Sequence, residues 1–261
     1  MKKIIIALLV CVSSNALTAA EDWGKTGHRV VGEIAENYLS KKAEKEISKL
    51  LNGHSLAFVA NYGDDIKSDR QYDSYRPWHY VNFPFGEKYE THSKSEKGDI
   101  IQGIEKCISV LKNANSTKDD KIFHLKMLIH FMGDLHQPLH IGLEDDKGDN
   151  DFQVRWFSDG TNLHTVWDYK MIDFYEMSYT ELAANTDVLS KKQVEAIKKG
   201  NVLDWMYESR ALCEDVYENT EIGEKLGYEY MYKYMDTLRF QLQKGGIRLA
   251  EVLNKIFSWL K

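Results

Sequence analysis

Three histidines and an aspartate crowd the stretch Ile129-His130-Phe131-Met132-Gly133-Asp134-Leu135-His136-Gln137-Pro138-Leu139-His140, inside an apolar run that begins near Ile122. On a helix, His130 and Asp134 stand four apart and project from one face. Pro138 lacks a backbone N–H and clashes with the preceding turn, so the helix must kink or stop there. His140 is thereby freed to reach a neighbouring site. A ring nitrogen beside a carboxylate oxygen suits zinc, which takes nitrogen and oxygen ligands without imposing its own geometry. A buried His–Asp pair joining two helices is the other reading of the same spacing.

The rest of the chain weighs that choice. Trp23-Gly24-Lys25-Thr26-Gly27-His28 puts His28 at a helix start, and Gly63-Asp64-Asp65-Ile66-Lys67 offers a loop carboxylate. Trp78-His79 follows in an extended segment. Asn162-Leu163-His164-Thr165-Val166-Trp167-Asp168 repeats the four-residue His to Asp spacing. His28, Asp64, His79, His130, Asp134, His140, His164 and Asp168 exceed one tetrahedral site. They suit two or three metals with a bridging carboxylate and open positions for water. His54, His92, His124 and His136 fall outside these settings, and His136 reads as structural support.

The elements that must position these groups are mostly helical. Val30, Val31, Ile34, Ala35, Tyr38 and Leu39 recur at helical spacing, and a second helix over 41–51 ends at Asn52-Gly53. Residues 61–73 read as polar and turn-like, and residues 79–84 as a short extended piece between Pro77 and Pro84. Glu87 to Lys97 is a charged loop. Helices are expected over 99–112 and 119–137, then an acidic loop over 142–151 and a short strand over 152–157. Asn162 caps a helix. Capping boxes start at Ser178 and Ser190, and long helices start near Asp204 and Glu224. The expected fold is all-α: a single mainly helical domain over residues 21–261, with at most a short β-hairpin.

Composition narrows the class. Of 261 residues 43% are hydrophobic, enough for a packed core and too many for a disordered chain. Residues 1–20 read as a secretory signal: Lys2 and Lys3, an apolar run from Ile4 to Val12, and a small-residue cleavage site at Thr18-Ala19-Ala20. No later run is long enough for a bilayer. The mature protein is therefore expected to be soluble, secreted or periplasmic, without a membrane anchor, and a monomer. Cys107 and Cys213 remain after the leader and could pair in an oxidising compartment. No Cys-x-x-Cys exists, which excludes a thiolate zinc site. The net charge of −6, more negative once Lys2 and Lys3 leave, argues against nucleic-acid binding by a broad basic surface. Bound metal can invert the charge of a cleft.

In order, Trp-Gly-x-x-Gly-His, Gly-Asp-x-Ile-Lys, His-Phe-x-Gly-Asp-x-His-Gln-Pro-Leu-His and Asn-Leu-His-x-Val-Trp-Asp resemble the zinc-dependent single-strand nucleases with 3′-nucleotidase activity. Zinc phospholipases C are that family's more distant relatives. The matches run from Trp23 to Asp168. The resemblance implies three zinc ions (Zn2+) per chain. Asp64, His79 and His130 would hold one, with Asp134 bridging to a second held by His28 and by the amino nitrogen and carbonyl of Trp23. His140, His164 and Asp168 would hold the third. It also implies that Lys67 and Asn150 face the phosphate, that Tyr80 stacks on a base and that Asn82 reads the base edge. The implied substrates are single-stranded DNA, RNA and 3′-nucleotides. They would be cleaved to 5′-phosphate products by hydroxide generated on the metals.

Three departures stand out. Asn82 replaces the usual aspartate, and an amide both donates and accepts. Tyr62-Gly63 replaces Trp-Ala before Asp64, a packing change expected to bear little on chemistry. Asp149 replaces a glycine beside Asn150, bringing a negative charge near an anionic substrate. A zinc phospholipase C and a non-catalytic zinc-binding helical protein are the competing readings. The leader adds a conflict of its own: cleavage after Ala20 leaves Glu21 and Asp22 ahead of Trp23, whereas the family pattern needs the Trp23 amine free.

Overall fold

The computed structural model describes residues 23–258. The expected signal peptide and its cleavage site lie outside the described residues. Helix α1 (Lys25–Glu36) buries Val30, Val31, Ile34 and Ala35 on one face together with His28. Ser40 caps α2 (Lys41–Leu50) by accepting from the Ala43 amide. Asn52 and Gly53, at φ of 52° and 81°, then end it in left-handed backbone.

Beyond them the polar, turn-like segment is more helical than expected. It folds as α3 (Leu56–Val59), α4 (Tyr62–Asp65) and two 3-10 turns, Ile66–Ser68 and Arg70–His79. Leu56 and Val59 anchor α3 in the core and Ile66 anchors the turn after α4, while α4 and the Arg70–His79 turn bury only Gly63 and His79. Those pieces are too short to carry a readable period. Residues 80–84 are extended, and the amides of Val81 and Phe83 donate to the carbonyls of His140 and Gly142 at 2.8 and 3.1 Å.

Capped by Asp99 and Thr117, α5 (Ile100–Lys112) and α6 (Lys118–Asp134) pack against each other. From Met127 to Asp134 every residue of α6 is buried, the behaviour of a helix enclosed by its neighbours. It ends at Asp134, earlier than expected, and Pro138 opens a separate 3-10 turn over Pro138–Ile141. Strands β1 (Gln153–Trp156) and β2 (Asp159–Asn162) form the hairpin.

After it come α7 (Leu163–Thr165), a π-type turn over Val166–Lys170 and α8 (Met171–Phe174). Capping boxes open α9 (Tyr179–Ala184) and α10 (Lys191–Lys198) as expected. They are followed by α11 (Val202–Glu218), β3 (Lys225–Leu226) and α12 (Tyr228–Ser258). β3 lies parallel to β1, with Arg155 opposite Lys225, so the hairpin grows to three strands. A two-residue strand carries no periodicity, and only the chain's return from α11 creates it.

The chain is mainly helical around one continuous apolar core. α12 closes that core by crossing α1 tightly: a Cβ on Gly246 would stand 2.5 Å from Cγ2 of Ile34. Among the described residues no helix is long and apolar enough to cross a membrane. Cys107 and Cys213 are separate, buried, free thiols. Burial pushes both thiols up, away from the reactive thiolate form.

Candidate metal centre

Eight side chains from seven pieces of backbone meet in the interior. α1 contributes His28, α4 Asp64, the turn after it His79, and the last turn of α6 His130 and Asp134. The turn after Pro138 contributes His140, α7 His164 and the π-type turn Asp168. They form three groups close enough to share a cation each: His28, His130 and Asp134; Asp64, His79 and His130; His140, His164 and Asp168. Asp134 stands between the first two. Its Oδ2 lies 2.9 Å from His79 Nδ1 and 3.3 Å from His130 Nε2, while Oδ1 lies 3.3 Å from His28 Nε2. In the third group Asp168 lies 3.6 Å from His140 Nε2 and 3.2 Å from His164 Nε2. Far more than one His–Asp pair converges here, so a lone pair joining two helices does not describe the arrangement.

Backbone carbonyls aim the rings. His130 Nδ1 faces the Ala60 carbonyl at 2.7 Å, His140 Nδ1 that of His79 at 2.8 Å, and His164 Nδ1 that of Gly148 at 2.6 Å. A carbonyl only accepts, so each Nδ1 carries the proton and each Nε2 turns a lone pair into the cluster. His28 Nε2, Asp134 Oδ1 and Asp168 Oδ2 are buried and have no hydrogen-bond partner. Buried polar atoms left in that state are costly. Cations among them would satisfy nitrogen and oxygen donors alike, which is the donor set zinc accepts.

The carboxylates and rings also shift one another. Burial opposes charge on His130, but Asp134 and Asp64 outweigh it and hold the ring's pKa up at about 10. His164 is raised to about 9 against burial by Asp168. His79 is pushed down to about 3 by burial and by the Lys67 charge. Without metal, then, protons on His130 and His164 neutralise part of the carboxylate charge. A cation must displace them, which makes its binding pH-dependent.

Two glycines make the ring positions possible. A Cβ on Gly63 would fall 2.4 Å from Cδ2 of His130, and one on Gly133 would fall 2.6 Å from Nδ1 of His28. The Gly63 departure therefore bears directly on how His130 is seated, more than the sequence suggested.

The remaining predicted residues lie around this core. Lys67 donates to Asp64 Oδ1 at 2.9 Å, and burial brings its ammonium down to about 8. Tyr80 is 44% exposed, so its ring is not a core tyrosine. Tyr80, Asn82 and Asn150 line a cleft of about 1010 Å³ into which His140 and His164 also open. Asn82 sits against the Gly148 turn, and its Oδ1 has no hydrogen-bond partner. Asn150 donates to the Lys147 carbonyl at 2.9 Å. Trp23 is fully buried at the head of α1, one turn ahead of His28. Asp149 does not point to the cleft as a surface charge would. It is fully buried at φ 63°, with neither oxygen hydrogen-bonded.

Several supporting residues escaped the sequence reading. Gln137, inside the central motif, donates to Asp168 Oδ1 at 2.5 Å and accepts from the Leu139 amide at 2.6 Å. Its place between His136 and Pro138 was the available signal. Arg210 of α11 had none. Its buried guanidinium donates to the carbonyls of Ile141, Gly142 and Phe83 at 2.9, 2.7 and 2.6 Å. It ties the His140 turn to the Tyr80–Asn82 segment. His136 is structural as expected, facing the Met132 carbonyl and Arg248.

The sequence profile of the S1/P1 nucleases matches residues 23–258. The chain belongs to the S1/P1 nuclease family. Endonuclease 4 of Arabidopsis thaliana is 30% identical over 286 residues, covering 95% of this chain and 94% of that protein. Nuclease S1 of Aspergillus oryzae is 27% identical, covering 96% and 98% respectively. A crystal structure of Clostridium perfringens alpha-toxin aligns at a TM-score of 0.49 and 17% identity, covering 92% of this chain and 66% of that one. As an S1/P1 family member the chain is a nuclease, a hydrolase acting on nucleic acids. The family match ends at the last described residue, so it includes the α11 and α12 helices that brace the centre.

Proposed function

We propose that this nuclease is a secreted, zinc-dependent enzyme, acting as a monomer on single-stranded DNA, RNA and 3′-nucleotides and leaving 5′-phosphates. One observation carries the reading: the cleft that exposes Tyr80 and Asn82 runs directly onto His140 and His164. A base held at its mouth leaves its phosphate beside the ligand cluster.

On this reading Asp64, His79 and His130 would hold one zinc, and Asp134 would be shared with a second that His28 and, once trimming frees its amine, Trp23 through amine and carbonyl would hold. His140, His164 and Asp168 hold the third. Bound zinc supplies positive charge for the phosphoryl oxygens and lowers the pKa of water. The chain's own groups do the rest. Asp64 has 19% of its side chain exposed, against 0% for Asp134 and 1% for Asp168. It is the ligand carboxylate that solvent reaches, placed to take a proton from the attacking water. The Lys67 ammonium and Asn150 amide donate to phosphoryl oxygens as charge builds on them. Tyr80 stacks on a base, which must be outside a duplex to be stacked. Asn82 offers both a donor and an acceptor to the base edge.

The test combines metal content with substrate range. Mature protein is expected to carry about three zincs and to cleave single strands faster than duplex, with activity lost to a chelator and restored by zinc. A zinc count near one in fully active protein defeats the three-metal assignment. Hydrolysis of a phosphatidylcholine in preference to single-stranded DNA would instead favour the phospholipase reading.

A further inference from the structure

The cleft has a second wall that the reading above does not use. It is the loop through Ser93, Lys94, Ser95 and Lys97, which lines the same cleft as Tyr80 and Asn82. In the sequence this stretch reads only as a charged loop. The structure pins it at both ends. The Tyr89 hydroxyl donates to Asp99 at 3.0 and 3.2 Å, and its amide donates to the Tyr207 hydroxyl at 2.9 Å. Trp78 Nε1 donates to the Lys97 carbonyl at 3.0 Å, one residue before the ligand His79. Gly98 passes so close to that indole, at φ 85°, that a Cβ there would lie 2.8 Å from Nε1. Between the pins the Lys94 ammonium sits over the Tyr89 ring at 4.4 Å from its centroid.

Two cations are thus presented to the cleft from an anchored loop, in a chain whose formal charge is −6. The other lysine on the cleft, Lys147, is already matched by Asp151 at 2.9 Å. A single nucleotide held between Tyr80, Asn82 and the ligand cluster has its one phosphate at the metals and leaves Lys94 and Lys97 unused. A strand that continues past that nucleotide carries further phosphates across the same cleft.

We propose that Lys94 and Lys97 form a backbone-phosphate track for the nucleotides beyond the one at the metal centre, so that the cleft distinguishes a polynucleotide strand from a mononucleotide. The track rests on the nuclease reading of the same cleft and adds strand length to it as a determinant of specificity. Its energetics are those of counterion release, which for a single strand contributes a slope of about −0.7 in log affinity against log salt per phosphate neutralised.

The experiment compares the mature zinc-loaded enzyme with its Lys94→Ala/Lys97→Ala variant. The substrates are a ten-residue single-stranded DNA and a 3′-mononucleotide, measured across a salt series. Binding of a phosphorothioate strand is followed by fluorescence anisotropy in parallel. The ratio of kcat/KM for the strand to that for the mononucleotide should fall about tenfold at low salt. The loss should lie in KM, and the salt slope of strand binding should become shallower by about 1 to 1.5. Lys45→Ala, an exposed lysine of α2 outside the cleft lining, serves as the charge control and should change neither ratio nor slope. Equal losses on both substrates, or an unchanged salt slope, overturn the track and leave the nuclease reading standing. A wild-type enzyme that cleaves neither substrate overturns both.

Discussion

Gly133 and His28 are in direct contact across the α1–α6 crossing: a Cβ on Gly133 would lie 2.6 Å from the His28 ring nitrogen Nδ1. The ring is fully buried, so it has no solvent to retreat into. Gly133→Ala is expected to push His28 off the Asp134 carboxylate and to lower the zinc count by about one per chain. The helix itself should survive, because alanine has the higher helix propensity by ~1 kcal/mol. Elemental analysis alongside far-ultraviolet dichroism measures both. A full metal complement in Gly133→Ala would mean that the two helices can part enough to keep the ligand.

Asp134 faces both adjoining groups, whereas Asp168 serves the third alone. Asp134→Asn should therefore lower kcat more than Asp168→Asn, since on the proposed zinc assignment the amide would remove the charge shared between two cations. Both variants need their zinc content measured beside their rates. Equal losses in kcat would count against Asp134 as the bridge.

Tyr80 is the exposed aromatic at the cleft. Tyr80→Ala should cost about tenfold or more in kcat/KM on single strands and 3′-nucleotides, from stacking worth ~1–3 kcal/mol. A chromogenic phosphodiester without a base has nothing to stack and should be cleaved as before. Parallel loss on all three substrates would make Tyr80 a structural residue.

Asp149 is a buried carboxylate whose pKa is pushed up to about 8, first of all by burial. A raised acid pKa means that the folded state keeps a proton the unfolded chain releases near pH 4. Stability therefore falls as pH climbs from about 4 to about 8, and levels off above that. In zinc-free protein, Asp149→Asn should be near neutral at pH 4 and stabilising by several kcal/mol at pH 8. Asparagine also tolerates the left-handed backbone there. Urea midpoints for the two proteins across that range give the comparison. A pH-independent difference would show that the carboxylate finds a partner in solution.

Arg210→Met keeps much of the side-chain volume and removes the guanidinium that holds Ile141, Gly142 and Phe83. The Gly142 carbonyl keeps the Phe83 amide, but leaving those of Ile141 and Phe83 unsatisfied should cost about 3 kcal/mol, a fall in Tm on the order of 5–10 °C. Zinc-loaded variant should also bind 3′-nucleotides less well, because the Tyr80–Asn82 segment loses its tie to the His140 turn. Unchanged melting by calorimetry would argue against the tie.

The converging His and Asp side chains were legible because each is marked by its local sequence. The four-residue spacing of His130 and Asp134, the same spacing in His164 and Asp168, and the proline that turns the chain toward His140 are properties of helices and of proline alone. Capping boxes at Ser178 and Ser190 and the apolar face of α1 were readable for the same reason: one short window contains all the atoms involved. What required the tertiary structure was every relationship between windows. Gly63 is a small residue in a loop until His130, from another helix, occupies the place of its missing Cβ. Arg210 is one charge on a long helix until three carbonyls from two distant segments converge on it. Asp149 looks like a surface acid in an acidic loop until the fold buries it. Short helical turns and the two-residue β3 exist because distant side chains and strands hold them, and a propensity read along the chain carries no information about partners brought together by folding.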